Sequence, residues 1–328
     1  MNAQEWFEKN TYHHSAFSDM EKLIERKKAL GLAISVVIPT LNEAETIGNE
    51  VRTIRENLME RKALVDEIVV VDSGSTDSTK EEAAKAGAKF HPAADILKSQ
   101  GNIPGKGENL WKSLMVTEGD IIVWLDADIK NIHPKFVYGL VGPLLMEPSI
   151  GYVKGFYDRP MKVGNDLRPS GGGRVSEILI RPLLSLYYPD LAYFMQPLSG
   201  EYAGRRELLE TLPFSIGYGV EIGLLADIYN THGLAILAQV DLDMRIHRNR
   251  PIHDLGKMSF GILQTFMKHA AKHGKIKMEQ EMNLSILQFT AKGEERIPLV
   301  HRHQETERPA INSLAEYTEK KKNYKRGI

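Results

Sequence analysis

The chain has 328 residues and a formal net charge of −1, and it contains no Cys. The charge balance gives no basic field, so we expect neither nucleic acid nor a membrane surface as a partner. The absence of Cys excludes disulfides, zinc–thiolate sites and thiol catalysis, and no apolar run approaches the roughly 20 residues that cross a bilayer. The polar segment after Met1 lacks the pattern of a secretory signal, and we therefore expect a cytoplasmic globular protein.

Strand and helix patterns alternate over the first 150 residues. Residues 1–31 are polar with scattered apolar positions, which predicts a helical arm. Apolar runs then predict strands, separated by helices, at 33–38, 67–71, 88–90 and 121–125. Asn42, with Glu45 three residues later, is a start signal for the first of these helices. The alternation predicts an α/β fold with a mainly parallel sheet flanked by helices.

Beyond about residue 150 the alternation is looser. Helices are predicted near residues 175 and 218, and a strand is predicted over 235–240. A further helix is predicted over 257–275, where an apolar stripe indicates packing: Met258, Ile262, Phe266 and Ala270. From about residue 300 the chain is polar and ends in a basic run, which is typical of a frayed, solvated terminus, although such a tail can also bind polyanions.

Three polar clusters follow predicted strands, at 40–43, at 72–75 and at Asp126 and Asp128. Because ligands of parallel sheets collect at the carboxyl ends of the strands, these clusters predict one site. Asp126 and Asp128 share a face in an extended chain, so both carboxylates can reach one cation, and oxygen ligands favour Mg²⁺ or Mn²⁺. Alone, such a pair is more often a solvated loop end or a helix cap.

The three clusters, in this order, resemble the nucleotide-sugar-binding half of glycosyltransferases with the GT-A fold, a Rossmann-like α/β architecture. Further blocks are similar to the retaining glucosyl-3-phosphoglycerate synthases, which transfer glucose from UDP-glucose to 3-phosphoglycerate. These blocks lie at 104–108, 171–177, 196–202, 217–223 and 245–250. The resemblance extends from about residue 34 to about residue 251. That family often has Asp-Ser-Asp as its metal motif, whereas this chain has Ala127 in the middle.

The resemblance implies that the first loop and the second strand end hold the uridine and ribose of the donor. Lys106, carried by a glycine loop, is expected to clamp the donor phosphate or sugar. Glu221 is expected to bond sugar hydroxyls and to select gluco over manno stereochemistry, with helix capping by charge as the alternative. The predicted donor-binding residues are Pro39, Thr40, Leu41, Glu43, Ser73, Lys106, Asp126, Ala127, Tyr218 and Glu221.

A divalent ion bridging both phosphates would stabilise the charge that develops on the leaving group. Its predicted ligands are Asp128, Asp126 and, by the resemblance, His247; without the resemblance, a His among Arg and Asn is more often a surface hydrogen-bonding group. The acceptor carries a phosphate and a carboxylate, so its binding site needs guanidinium groups that can donate two hydrogen bonds to one anion, and accessible backbone N–H groups. We expect these from Gly172, Gly173, Arg174, Ser176, Arg245 and Asn249, although a glycine run can also be a flexible loop and an Arg cluster a solvated edge.

The resemblance also implies front-side attack with retention, with the backbone carbonyl of Leu198 near the anomeric carbon. Nothing in the sequence places a nucleophilic carboxylate on the β-face of the sugar. The expected catalytic residues are Asp126, Asp128, Leu198 and Glu221. The implied division is an N-terminal arm at 1–31, a nucleotide-sugar-binding half at 32–150, an acceptor-binding half at 151–256 and a helical extension with a basic tail at 257–328, assembled as a homodimer.

Alternatives remain at this point. The donor base and sugar are not fixed by the sequence, so GDP-glucose is possible, and a mannosyl-3-phosphoglycerate synthase that uses GDP-mannose is the close alternative. A polyprenyl-phosphate glycosyltransferase shares the first three clusters, but the missing membrane segment and the Gly-Gly-Gly-Arg block argue against it. An inactive sugar-nucleotide-binding protein would not need Asp126, Asp128 and His247 together.

Overall fold

The computed structural model describes residues 1–159, 161–163, 166–168, 173–246, 251–293 and 295–326. The strands are β1 Thr11–His13, β2 Ile34–Thr40, β3 Glu67–Asp72, β4 Lys89–Pro92, β5 Ile121–Trp124, β6 Tyr152–Asp158, β7 Met161–Val163, β8 Asp166–Arg168, β9 Tyr202–Arg205, β10 Phe214–Ser215, β11 Leu237–Met244, β12 Ser285–Lys292, β13 Glu295–Arg302 and β14 Glu307–Arg308. The α-helices are α1 Ala3–Asn10, α2 Met20–Leu30, α3 Ile47–Ile54, α4 Thr79–Ala86, α5 Lys106–Val116, α6 Lys135–Met146, α7 Arg181–Tyr187, α8 Arg206–Leu209, α9 Val220–His232, α10 Ile252–Lys272 and α11 Ala315–Arg326.

Eight of the described strands form one sheet, in the order β1-β11-β6-β9-β5-β2-β3-β4. Strand β2 pairs in parallel with both β5 and β3, and β3 pairs in parallel with β4. Strand β9 is antiparallel to both of its neighbours, β5 and β6. The mainly parallel α/β sheet that the sequence predicts is therefore confirmed, and the three strands with polar ends lie side by side. The sequence pattern predicts neither β6 nor β9.

The sheet is buried on both faces. Successive side chains of a strand point to opposite faces, so Val37 and Val69 pack in one apolar cluster and Val36, Ile38 and Val70 in the other. The first cluster includes residues of α5, α7, α9 and α10, and the second includes residues of α2, α3 and α6. With both faces covered, the carboxyl ends of the strands remain as the place where polar loops can gather.

The N-terminal segment is integrated into the body, and it is not wholly helical. Between α1 and α2, strand β1 pairs in parallel with β11 and extends the sheet at its edge. Trp6 is fully buried and its Nε1 donates a hydrogen bond to the Leu237 carbonyl oxygen at 2.7 Å. The helical pattern predicted for 1–31 misses β1 because three residues are too few to show a strand period.

The C-terminal segment also differs from its prediction. The helix expected over 257–275 is confirmed as α10, but a β12–β13 hairpin follows it, and helix α11 forms where a frayed terminus is predicted. Tyr317 is buried, and Lys320 Nζ donates to the carbonyl oxygens of Met115 and Thr117 at 2.6 and 2.9 Å. The prediction of a frayed terminus is wrong because Lys320 binds carbonyl oxygens at the end of α5 and Lys321 pairs with Glu210. In the described ranges, no helix has the length and apolarity that crossing a bilayer requires.

Candidate active site

A cavity of about 560 Å³ opens at the carboxyl ends of β2, β3 and β5, within the usual size of a ligand site. Every described residue that the sequence predicts for the site lines this cavity. They are Pro39, Thr40, Leu41, Glu43, Ser73, Lys106, Asp126, Ala127, Asp128, Gly173, Arg174, Ser176, Leu198, Tyr218, Glu221 and Arg245. The remaining three, Gly172, His247 and Asn249, lie outside the described residues.

The loops after β2 and β3 hold each other in place. The Asp72 carboxylate accepts hydrogen bonds from Thr40 Oγ1 at 2.8 Å and from the Ser75 backbone N–H at 2.7 Å. Asn42 has a positive φ of 58°, its N–H donates to Ser75 Oγ at 2.7 Å, and its Oδ1 accepts from the Thr76 N–H at 2.8 Å. Asn42 thus ties the two loops together and does not start the helix, which begins five residues later at Ile47. The result is a rigid wall on the predicted donor side.

Carboxylates and cations alternate across the floor of the cavity. Lys106 Nζ lies 2.5 Å from Asp126 Oδ1 and 2.7 Å from Glu221 Oε1. Arg245 Nη2 lies 3.1 Å from Asp126 Oδ2 and 2.5 Å from Asp128 Oδ1. Arg245 is almost wholly buried, and its Nε is 3.3 Å from Glu201 Oε1. Two cations thus contact four carboxyl groups in this network, so carboxyl groups outnumber cations at the floor of the cavity.

These ion pairs fix the protonation states of the groups involved. Burial alone would raise the pKa of Asp126, but the Lys106 ammonium and the Arg245 guanidinium lower it below its usual range. Burial alone would lower the pKa of Lys106, but Asp126 and Glu221 raise it. Both groups therefore stay charged at neutral pH. Asp126 is an ionised carboxylate, which can bind a cation and cannot donate a proton.

The donor set fits a divalent cation. Asp126 and Asp128 are close enough for one guanidinium nitrogen to contact both, so Arg245 stands in for a cation between them. Paired carboxylate oxygens are the ligands that Mg²⁺ and Mn²⁺ prefer. Arg245, which the sequence predicts for the acceptor, thus lies on the predicted metal ligands. The same guanidinium is also held by Tyr157, whose OH accepts from Nη1 at 3.0 Å, and by Glu201.

The predicted acceptor edge lies on another wall of the same cavity. Gly173 has a φ of +77°, a conformation that favours glycine, and a helical segment begins directly after it at Arg174. Ser176 is buried in the first turn of that segment. Backbone N–H groups at a helix start, together with a guanidinium, are suited to anions. Met258 and Ile262 also line the cavity, so the stripe predicted only for packing contributes apolar surface to it.

The sequence predictions miss several polar residues of the cavity. Asn109 accepts from Ser73 Oγ at 3.0 Å and donates to the Val71 carbonyl oxygen at 2.9 Å. It lies three residues after Lys106 on α5, and that helical spacing is a signal that could have identified it. Arg159 follows β6, which no sequence pattern predicts, and its Nη2 donates to Tyr157 Oη at 2.9 Å. Arg159 therefore adds a further cation to the cavity wall.

Comparison with known proteins adds independent findings. The model of glycosyl transferase family 2 matches residues 35–212. A glucosyl-3-phosphoglycerate synthase of Petrotoga mobilis is 50% identical over 312 residues, covering 95% of this chain and 96% of that protein. One of Mycolicibacterium smegmatis is 45% identical over 291 residues, covering 89% and 92%.

Two solved structures are similar over almost the whole chain. The crystal structure of mannosyl-3-phosphoglycerate synthase from Rubrobacter xylanophilus has a TM-score of 0.86 and 36% identity, covering 95% of this chain and 98% of that one. A glucosyl-3-phosphoglycerate synthase from Mycobacterium tuberculosis, in complex with Mn²⁺, UDP and phosphoglyceric acid, has a TM-score of 0.82 and 40% identity. That match covers 93% of this chain and 98% of the other.

Proposed function

This chain belongs to glycosyl transferase family 2, and from that premise we propose that it transfers glucose from UDP-glucose to 3-phosphoglycerate, giving glucosyl-3-phosphoglycerate and UDP. The predicted GT-A fold and glycosyltransferase class are confirmed. The observation that carries the proposal is a single cavity that joins the Asp126 and Asp128 carboxylates to the Gly173–Arg174 edge. One wall is suited to a cation-bound diphosphate and the other to a phosphorylated acid.

We assign the donor to the wall formed by the loops after β2, β3 and β5. Asp126 and Asp128 would hold Mg²⁺ or Mn²⁺, and the bound ion would supply positive charge to offset the charge gained by the leaving diphosphate. Lys106, between Asp126 and Glu221, adds a fixed ammonium on the same side. Glu221 lines the cavity, and we assign it to the sugar hydroxyls. His247 as the third metal ligand stays a prediction.

We assign the acceptor to Gly173, Arg174 and Ser176. In this arrangement the acceptor hydroxyl approaches the sugar from the side on which the diphosphate leaves, and that phosphate takes its proton. The Leu198 carbonyl then faces the anomeric carbon, and the product keeps the α configuration. A β-linked product, read from the anomeric proton coupling in NMR, would contradict this mechanism.

The test is a matrix of donors and acceptors with the purified protein. UDP-glucose, GDP-glucose and GDP-mannose are each combined with 3-phosphoglycerate, glycerate or a polyprenyl phosphate, with Mg²⁺ or Mn²⁺, and nucleoside diphosphate release is measured. We expect the highest turnover with UDP-glucose and 3-phosphoglycerate, and its loss on chelation. Highest turnover with GDP-mannose would favour a mannosyl-3-phosphoglycerate synthase. GDP-mannose is included because the chain is similar to the mannosyl-3-phosphoglycerate synthase of Rubrobacter xylanophilus. If no donor gives nucleoside diphosphate release, the proposed glycosyltransferase activity is refuted.

A homodimer, a cytoplasmic location and the division at residues 31, 150 and 256 are further parts of the proposal. Light scattering of the purified protein tests the first. Fractionation of cells that produce it tests the second. Limited proteolysis tests the third, since cleavage is expected to fall between the proposed units.

A further inference from the structure

A lysine without a predicted role lies beneath the candidate site. Lys154 belongs to β6 and faces Tyr202 of β9 across the antiparallel pair. It is 1% exposed. Within the part of the chain that the structure describes, its ammonium donates one hydrogen bond, to the Ser199 carbonyl oxygen at 3.0 Å, and it lies 4.4 Å from the centre of the Tyr202 ring. A buried lysine with so few partners calls for a reason.

Lys112, another buried lysine, has the hydrogen-bond partners expected of a lysine with a structural role. Lys112 Nζ donates to the carbonyl oxygens of Ala93 and Gly101 and to Asn102 Oδ1, at 2.8 to 3.0 Å. It also pairs with Glu108 at 3.2 Å. All three ammonium hydrogens of Lys112 therefore have acceptors, whereas Lys154 leaves two without one among the described residues.

The acceptor of Lys154 belongs to a turn that touches the centre of the site. Leu198 and Gly200 line the cavity on either side of Ser199. The Ser199 N–H donates to the Gln196 carbonyl oxygen at 3.1 Å, so the turn is held from one side by its own chain and from below by Lys154. Gly200 packs so closely on Asp126 that a Cβ there would overlap with the carboxylate. The turn thus connects the reacting side of the cavity with the metal-binding carboxylate.

We propose that Lys154 is a positioning residue for glycosyl transfer, whose hydrogen bond to Ser199 holds the Leu198–Gly200 turn against Asp126. The role rests on the proposed function, in which the sugar lies at this turn. Without the hydrogen bond, the Leu198 carbonyl and Asp126 lose their common support. Since displacement of about 1 Å at a reacting centre can cost a factor of about 100 in rate, the effect falls on the chemical step and not on binding.

The electrostatics of Lys154 agree with a functional position. Burial lowers its pKa to about 7; the Lys106 ammonium acts in the same direction, and the Glu221, Glu201 and Asp126 carboxyl groups act against it. The folded protein therefore keeps a lysine that is only partly charged at neutral pH, which is costly in a core and typical of active-site groups. A group retained at such a cost for structure alone would have more hydrogen-bond partners.

The test is Lys154→Met, which keeps the length of the side chain and removes the donor. We expect the melting temperature to stay the same or rise, because a poorly partnered buried amine is removed. We expect kcat for glucosyl transfer to fall about 10- to 100-fold, while KM for UDP-glucose and for 3-phosphoglycerate changes by less than about threefold. An inflection of kcat near pH 7 in the wild type should be absent from the variant.

The matched control is Lys27→Met, far from the cavity. Lys27 is buried and pairs with Asp66 at 2.6 Å, so its loss should lower the melting temperature and leave kcat unchanged. Unchanged kcat in Lys154→Met, or a fall in kcat that accompanies a fall in melting temperature as large as that of the control, would overturn the positioning role. Wild-type turnover is measured first, so a failure of the proposed function is seen in the wild type alone.

Discussion

Gly200→Ala tests the contact between the Leu198–Gly200 turn and Asp126 directly. Gly200 is not among the residues with a positive φ, so alanine adds no backbone strain there. Its Cβ, however, would meet the Asp126 carboxylate: even Oδ1, the more distant oxygen, is 2.5 Å away, which is 0.9 Å inside the 3.4 Å of an ordinary contact. Asp126 or the turn must therefore move by about 1 Å.

Such a shift separates Asp126 from Lys106 Nζ and Arg245 Nη2, now at 2.5 and 3.1 Å. We expect kcat to fall about 100-fold, which corresponds to a rise of about 2.7 kcal/mol in the activation free energy, and we expect Mn²⁺ binding, measured by calorimetry, to weaken.

Gly233→Ala is the control: Gly233 has a φ of +74° and no atom within 4 Å of an added Cβ. That variant should lose about 1 to 3 kcal/mol of stability by backbone strain with unchanged kcat. If kcat and the Mn²⁺ affinity of Gly200→Ala stay within threefold of the wild type, the supporting role of this contact is refuted.

Four further substitutions, at three positions, test two cavity residues and one buried carboxyl group behind Asp128. Asp128→Asn should lower turnover at least about 100-fold and weaken Mn²⁺ binding, because it removes a charged ligand; activity retained in full would exclude Asp128 as a ligand. Arg174→Ala should raise KM for 3-phosphoglycerate about 10-fold or more and that for UDP-glucose hardly at all, whereas an equal rise in both would move Arg174 out of the acceptor site. Burial raises the pKa of Glu50, whose Oε1 accepts from the Ile129 N–H at 2.9 Å, so Glu50→Gln should preserve turnover and Mn²⁺ affinity and Glu50→Ala should reduce both.

Local sequence patterns predict the parts of this site that local structure builds. Asp126 and Asp128 follow an apolar run, and the neighbouring strand ends carry 40–43 and 72–75, so their meeting follows from a parallel sheet alone. Lys106 and Gly173 are predicted from the family resemblance together with their glycines, which mark positions where backbone can approach a ligand. Chain order and strand period are sufficient only for the three strand ends.

The parts that the sequence does not predict depend on pairing between distant segments. Lys154 and Tyr202 become neighbours only because β9 inserts antiparallel between β5 and β6, and neither β6 nor β9 has a clear pattern. The position of Arg245 depends on an irregularity in β11, where the register shifts between Asp241 and Met244 and Asp243 has a φ of +62°. A bulge of this kind redirects the side chains that follow, and here it points Arg245 at Asp126 and Asp128.

Two buried groups, His269 and Lys154, give the stability of this protein opposite pH dependences. Burial alone would lower the pKa of His269, but hydrogen bonds with Asp227 and Glu307 raise it from 6.5 to about 9. The folded state then binds more protons than the unfolded chain, so this stabilisation is complete below about pH 6.5 and is lost as pH rises through 9. The difference between the two pKa values corresponds to about 3 kcal/mol.

Lys154 acts in the other direction, since burial lowers its pKa from 10.5 to about 7. Between these values the unfolded chain binds more protons, so the Lys154 contribution to stability rises with pH from about 7 upward. Between pH 7 and 9 the two contributions offset each other in the wild type. We therefore expect Lys154→Met to show a stability that falls steeply over this range in urea titrations, and His269→Gln to show one that rises. A Lys154→Met variant with the same pH dependence as the wild type would mean that Lys154 is not neutralised in the folded protein.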